Sequence, residues 1–195
     1  MKDTITYYNK NADAFIEGTI NVDMTDIQMR FLATIPKESK ILDLGCGSGR
    51  DSKFFASLGY HVIPVDGSPE LCEKASEYTG LPVRCLLFED LDYTAEFDAI
   101  WACASLLHVE KEQMPYVLEL ISNALKENGM LYVSYKYGSE QRNHNGRLFS
   151  DYTEEDIPKL FPANSGLSCI DYWITSDARA DRSSEKWLNM ICKKM

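Results

Sequence analysis

No apolar run in this chain is long enough to cross a bilayer. The longest weakly polar stretch, Ala99 to Leu107, is about half of the roughly 20 residues that a spanning helix needs, so a membrane partner is not expected. Basic charge is scarce: 20 Lys and Arg stand against 30 Asp and Glu, a formal net charge of −10. The chain as a whole therefore repels phosphate backbones and anionic lipid heads, which disfavours nucleic acid as a partner. No C-x-x-C pair occurs among the six cysteines, Cys46, Cys72, Cys85, Cys103, Cys169 and Cys192. Most of them fall in segments that read as buried strand or helix, and reduced, structural thiols are expected. Histidine is rare, and His61, His108 and His144 are too scattered for a sequence-local metal site, so no metal is expected. Met1-Lys2-Asp3 leads into polar, aromatic sequence without an apolar signal core, which gives a cytoplasmic expectation. Internal repeats, low-complexity stretches and Pro/Gly/Ser linkers are also missing.

What is present is ordinary globular material: 195 residues, 45% of them hydrophobic, enough for one domain with a sizeable core. Two helical stripes occupy the first 35 positions, Ile5, Tyr8, Ala12 and Phe15, then Met24, Ile27, Phe31 and Ile35, at spacings of three or four. From Lys40 short apolar runs alternate with amphipathic segments. Strands are expected at Ile41 to Leu44, His61 to Val65, Val83 to Leu87, Phe97 to Ala102 and Met130 to Tyr135. Helices fall between them, the second opened by Ser68-Pro69 and the last a long one ended by Asn128-Gly129. This alternation implies a parallel sheet with helices on both faces. Beyond Gly138 the expectation is a polar stretch to Asp151, a helix at Thr153 to Phe161, and strands at Leu167 to Thr175 and Lys186 to Cys192. The last two, joined without a helical crossover, suggest an antiparallel pair at one edge. The mixed-charge loop of Asp177, Arg179, Asp181 and Arg182 reads as solvated surface.

The central signal is Ile41-Leu42-Asp43-Leu44-Gly45-Cys46-Gly47-Ser48-Gly49, a buried strand running into a glycine-rich turn that opens a helix. Missing Cβ atoms let a ligand approach the backbone, and free N–H groups at the helix start face it. The bland alternative is a tight turn that needs glycine only for its dihedrals. Asp66 ends the next strand, where adjacent parallel strands meet at one crevice, so its carboxylate can accept from both hydroxyls of a ribose. On its own it could be a helix cap. Turn and acid together specify a nucleoside-bearing cofactor, of the NAD or the S-adenosylmethionine type. Dinucleotide sites want G-x-G-x-x-G, whereas this run is G-x-G-x-G followed by Arg50-Asp51, and a pyrophosphate is the weaker reading.

The run Asp43-Leu-Gly-Cys-Gly-Ser-Gly with Asp66-Gly67-Ser68, continued by Phe97-Asp98-Ala-Ile, Leu106-Leu107-His108 and Lys126-Glu127-Asn128-Gly129, resembles the class I S-adenosylmethionine-dependent methyltransferases over roughly residues 36 to 137. Tyr7-Tyr8, Ala12 and Trp187-Leu188-Asn189 are similar to small stand-alone bacterial members related to tellurite-resistance methyltransferases. The resemblance implies a doubly wound, Rossmann-like α/β sheet of seven strands, mostly parallel, with the last strand inserted antiparallel beside the fifth. It implies a helical lid over residues 1–36, a cofactor core over 37–137, and a substrate side with the closing strand pair over 138–195. S-adenosylmethionine is the implied cofactor, S-adenosylhomocysteine its product.

Carried onto this chain, Gly45, Cys46, Gly47 and Gly49 would line the methionine part, Asp43 would brace the turn and the amino group, and Asp66 would hold the ribose. Adenine would lie between Gly67 and Ser68 on one side and Leu87, Phe88 and Glu89 on the other. Tyr8, Arg50, Cys103 and Ala104 would complete the cofactor's surroundings. One departure is visible, since many relatives place an acid and a small residue where Leu87-Phe88 stands; Glu89 or backbone groups would then read the adenine. The segment Ala102-Cys103-Ala104-Ser105 lacks the acid or Asn with Pro-Pro and an aromatic by which methyltransferases of DNA amines grip a flipped base. With the net charge, that favours a small-molecule substrate. His108, after the fourth strand, is the candidate general base, with an unperturbed pKa of about 6.5; a structural His bonding a loop carbonyl is the alternative. Tyr7, Tyr8 and Phe15 suggest a lid, which is compatible with simple packing of that stripe. A nicotinamide-dependent oxidoreductase, and a non-catalytic module that senses S-adenosylmethionine, stay open beside the methyltransferase reading.

Overall fold

Ile41, Leu42 and Leu44 leave no polar face except at Asp43, and in the computed structural model β1 (Lys40–Leu44) is buried on both sides. The structure describes residues 2–195; Met1, the first residue of the expected lid, lies outside them. Three helices, not two, precede the sheet: α1 (Lys2–Lys10), α2 (Ala12–Glu17) and α3 (Thr25–Leu32). The first stripe is broken at Asn11, whose φ of −119° and ψ of 20° leave the helical range.

The alternation follows as α4 (Arg50–Ser57), β2 (His61–Asp66), α5 (Pro69–Thr79), β3 (Arg84–Cys85), β4 (Phe97–Ala102), α6 (Met114–Ala124) and β5 (Leu125–Lys136). A hairpin of β6 (Gln141–His144) and β7 (Arg147–Ser150), the short helix α7 (Ile157–Leu160), β8 (Leu167–Ser176) and β9 (Lys186–Lys194) complete the chain. The seven-stranded sheet runs β3-β2-β1-β4-β5-β9-β8. Strands β1 to β5 pair in parallel, and β9 lies antiparallel between β5 and β8. The expected α/β sheet with an antiparallel last strand is the one observed.

Alternate residues of the central strands feed two cores. Leu42, Ile100, Leu131 and Val133 face α6 with its Val117, Leu118 and Ile121. Ile41, Ala99, Trp101 and Tyr132 face Phe31 of α3 and Phe55 of α4. Each such side chain contributes about 1.5–3 kcal/mol by leaving water, so the sheet is fixed from both faces and its carboxyl ends become a firm base for the site.

Several boundaries differ from expectation. The third strand keeps only two residues instead of Val83 to Leu87, because both pair with β2 alone at the sheet edge. Helix α6 stops at Ala124, and Leu125 already pairs with Phe97 before a register shift to Ala99 and Met130. Asn128, at φ 63°, turns within that interruption and does not end a helix. The helix expected over Thr153 to Phe161 is a 3-10 turn at Glu154–Asp156 followed by α7, because Thr153 and Asp156 cap each other. Among the described residues no helix is long and apolar enough to cross a membrane, and no group of His, Cys, Asp and Glu is arranged to hold a metal.

Candidate active site

The turn after β1 uses glycine where no other residue fits. Gly45, Gly47 and Gly49 have φ of 81°, 56° and 78°, the left-handed region that costs other residues about 1–2 kcal/mol. A Cβ on Gly45 would come within 2.5 Å of Ser105 Cβ, and one on Gly49 within 2.6 Å of Thr79 Cγ2. The turn is anchored on β2, since the amides of Gly45 and Cys46 both donate to the Val65 carbonyl at 2.9 Å. Asp66 closes the arrangement. Its Oδ2 accepts from the Gly47 amide at 2.9 Å and its Oδ1 from the Ser68 amide at 2.8 Å. Burial pushes its pKa up against the pull of the Ser68, Gly47 and Gly67 amides. A carboxylate offers about four lone-pair sites, so the orientation is fixed while accepting capacity remains.

Over this turn lie α1 and α2. Ile5 Cδ1 would be 2.8 Å from a Cβ on Gly67, and Phe15 Cε1 3.0 Å from one on Gly47. Ser68 Oγ donates to Asn9 Oδ1 at 2.6 Å, and the Leu148 amide donates to Thr4 Oγ1 at 3.2 Å. Tyr8 Oη lies 2.8 Å from His108 Nε2, while His108 Nδ1 lies 2.6 Å from the Leu148 carbonyl. A carbonyl can only accept, so Nδ1 carries the proton and Nε2 accepts from the tyrosine. Burial lowers the His108 pKa to about 4, with the Leu148 carbonyl working against the shift and the charge of Arg147 adding to it. The pKa thus lies below the unperturbed 6.5, and both ring nitrogens are engaged, Nδ1 with a loop carbonyl as in the structural alternative read from the sequence. The Tyr8 hydroxyl is held protonated by burial, which outweighs Arg147.

Two cavities meet at this place. A narrow slot of about 60 Å³ is bounded by Ile5, Asp66, Gly67, Leu87, Phe88 and Ser105, and a wide cavity of about 870 Å³ opens beyond it. Tyr8, Phe15, Gly45, Gly47, Ala104 and His108 line both and form the seam between them. Ala104 sits there at φ 51°, its amide held by Ser134 Oγ at 2.8 Å. A non-glycine residue in this region marks backbone strain placed at a site. Ser105 Oγ is buried without a hydrogen-bond partner.

Of the residues singled out in the sequence, Tyr8, Gly45, Cys46, Gly47, Arg50, Asp66, Gly67, Phe88, Cys103, Ala104 and His108 line one or both cavities. Asp43, Gly49, Ser68 and Glu89 do not. Asp43 is buried and accepts from Ser52 Oγ of α4, so it braces the turn from beneath, and its pKa is raised by burial and then by Asp51. Glu89 keeps one carboxylate oxygen buried and without a partner. Cys46 and Cys103 are held as neutral thiols by burial, Cys103 at about 12.

The sequence reading missed Asp51. Gln28 Nε2 at 2.7 Å, Trp101 Nε1 at 2.9 Å and Arg50 through two bonds of 2.8 Å all donate to its carboxylate. It also overlooked the far wall. Asp177 and Arg179 line the wide cavity and are not solvated surface alone. Burial opposes the charge of Asp177, but Arg179 and the Trp187 indole outweigh it and hold the carboxyl at about 2.

Residues 41–129 match the family described as a methyltransferase domain. The chain is 27% identical to (S)-coclaurine N-methyltransferase of Papaver somniferum, over 99% of this chain and 59% of that protein. It is 35% identical to a ubiquinone biosynthesis O-methyltransferase of Xylella fastidiosa, over 49% of this chain and 41% of the other. The chain thus spans about half the length of these curated relatives. Among solved structures it is similar to 1,6-didemethyltoxoflavin-N1-methyltransferase of Burkholderia thailandensis, crystallised with bound 1,6-didemethyltoxoflavin and S-adenosylhomocysteine. The TM-score is 0.77 at 23% identity, covering 98% of this chain and 85% of that one. A TehB-like S-adenosylmethionine-dependent methyltransferase of Corynebacterium glutamicum gives 0.67 at 18% identity, over 97% and 95%. These two likenesses are of fold, and the narrower resemblance to tellurite-resistance members gains no more than that.

Proposed function

We propose that this chain, whose residues 41–129 match a methyltransferase domain, is a class I enzyme that transfers a methyl group from S-adenosylmethionine to a small molecule. The observation that carries the reading is the bond from the Gly47 amide to Asp66, which locks a left-handed glycine turn to an acid with accepting capacity to spare on the wall of the narrow slot. The residues fit a nucleoside-bearing cofactor: a left-handed glycine turn whose Gly45 and Gly47 line the slot, Asp66 for the ribose hydroxyls, and the unpartnered Ser105 hydroxyl. When bound, S-adenosylmethionine supplies a methyl group already activated on a sulfonium.

The chain's own work is then to orient and enclose. Proximity and alignment supply roughly 7–11 kcal/mol in favourable intramolecular reactions. Residues 1–36 act as a lid, 37–137 as the cofactor core and 138–195 as the substrate side. The slot is far smaller than the roughly 300 Å³ at which small-molecule sites begin, so Tyr8 and Phe15 withdraw to admit a nucleoside and reseat to exclude water. Asp43 braces the turn through Ser52, and Gly49 opens α4. Gly67, Ser68, Phe88 and Glu89 flank the adenine side, with Cys46, Arg50, Cys103 and Ala104 around the methionine end. His108, neutral and doubly bonded, positions the Tyr8 hydroxyl at the seam. The wide cavity holds the acceptor, and with a net charge of −10 long nucleic acids and membranes are not partners. The cytoplasm is the proposed location.

Calorimetric titration tests the cofactor. S-adenosylhomocysteine should bind and NAD should not; preferential NAD binding would favour an oxidoreductase. Tight S-adenosylhomocysteine binding without methylation across a broad acceptor panel would instead favour a sensing module.

A further inference from the structure

The wide cavity departs from the charge of the chain. Seven Lys and Arg side chains line it against four Asp and Glu, whereas the chain as a whole has 20 against 30. Most of these cations are neutralised in place. Arg50 is paired with Asp51, Arg179 with Asp177, Lys136 with Glu185 and Arg142 with Asp151. Arg147 is different. Among the described residues no carboxylate pairs with it, and its Nε is buried without a hydrogen-bond partner. Its guanidinium lies 4.2 Å from the Tyr7 ring centre and 5.1 Å from that of Phe149, an aromatic support that fixes the plane of the fork, and one side of the fork reaches the Tyr8 hydroxyl while Nε stays free for a ligand. It stands at the start of β7, one residue before the Leu148 backbone that holds both His108 and Thr4. Farther out, Lys186 is exposed, and Arg182 meets the Asp181 carboxylate at a loose 3.7 Å, so the rim also attracts negative charge.

A buried donor without a partner is rare and asks for a ligand, and a planar fork of N–H groups matches an oxyanion bidentately. We propose that the wide cavity takes an acceptor bearing an oxyanion, a carboxylate or a phosphate, and that Arg147 holds this group beside the seam. The proposal rests on the methyltransferase reading, because it assigns the wide cavity to the acceptor. Lys136, Arg142 and Arg179 are tied to acids and shape the wall. Arg147 carries the selectivity.

The test uses benzoate, phenyl phosphate and benzamide as probes, titrated by calorimetry or ligand-observed NMR with and without saturating S-adenosylhomocysteine. The wild-type chain should bind at least one anion roughly 10- to 100-fold more tightly than neutral benzamide, the range of hydrogen bonds to a charged partner. The tighter of the two names the head group. Arg147→Gln should bring anion and amide within about twofold of each other, with S-adenosylhomocysteine affinity unchanged, and Arg147→Lys should keep part of the preference. Equal binding of anions and amide, no binding of any probe, or a preference that survives Arg147→Gln would overturn the proposal. Should the Gln variant fail to fold, Arg147→Lys decides: weaker anion binding with benzamide unchanged supports the role, and unchanged anion binding rejects it. Failure of the methyltransferase reading shows separately, as absence of S-adenosylhomocysteine binding.

Discussion

Tyr8 Oη and His108 Nε2 meet at 2.8 Å, a hydrogen bond between the first helix of the chain and the loop after the fourth strand. Residues a hundred positions apart thereby join the lid to the sheet at the seam of the two cavities. The hydroxyl donates and the imidazole accepts, because the other ring nitrogen is committed to the Leu148 carbonyl.

Tyr8→Phe removes this bond and leaves Nε2 without its partner. The expected cost is about 1 kcal/mol of stability, within the range for a part-buried hydrogen bond, together with faster proteolysis of the leading helices. Urea unfolding and limited proteolysis check it. An unchanged cleavage rate would mean that Asn9, Ile5 and Thr4 hold the lid unaided.

The pH dependence follows from the lowered pKa of His108, about 4 against an ordinary value of about 6.5. As pH falls, the unfolded chain takes up this proton first. Stability drawn from the neutral ring is therefore complete above about pH 6.5 and is lost down to about pH 4, on the order of 3 kcal/mol. The difference in unfolding free energy between wild type and His108→Gln should shift by about that amount against the wild type as pH falls from about 7 to about 4. Parallel curves would contradict the buried neutral state. Turnover should likewise show no acid limb near 6.5.

Phe15 covers Gly47 and narrows the slot. If the lid gates access, Phe15→Ala should speed association of S-adenosylhomocysteine several-fold in stopped-flow mixing. An unchanged association rate would reduce Phe15 to packing.

Two glycines separate backbone strain from crowding. Gly59, at φ 88°, has nothing within 4 Å of the place a Cβ would take, whereas a Cβ on Gly45, at φ 81°, would meet Ser105 Cβ at 2.5 Å. Gly59→Ala should cost about 1–2 kcal/mol and Gly45→Ala distinctly more, both read by chemical denaturation. Equal costs would show that Ser105 yields freely.

The cofactor half of the site was legible because its signals are local. A strand, a glycine turn and the acid ending the next strand sit within some 25 residues, and parallel pairing of β1 with β2 brings them together. Asp51 could not be read that way. It adjoins Arg50, but its burial depends on Gln28 and Trp101 from other elements. The acceptor wall was equally hidden. Gln141 to His144 carry no apolar alternation, so the β6–β7 hairpin that presents Arg147 has no signal beyond Asn145-Gly146 at its turn. Asp177 and Arg179 looked like solvated charge until the strands β8 and β9 folded their loop over the cavity.

The central claim is a cofactor whose ribose is held by Asp66, and a calorimetric titration of S-adenosylhomocysteine into wild type and Asp66→Ala tests it most directly. The account predicts binding by the wild type and a loss of about 1–3 kcal/mol in the variant, the scale of hydrogen bonds to a charged acceptor, with folding retained by circular dichroism. Equal affinity of the two proteins, or no binding by the wild type, would contradict it.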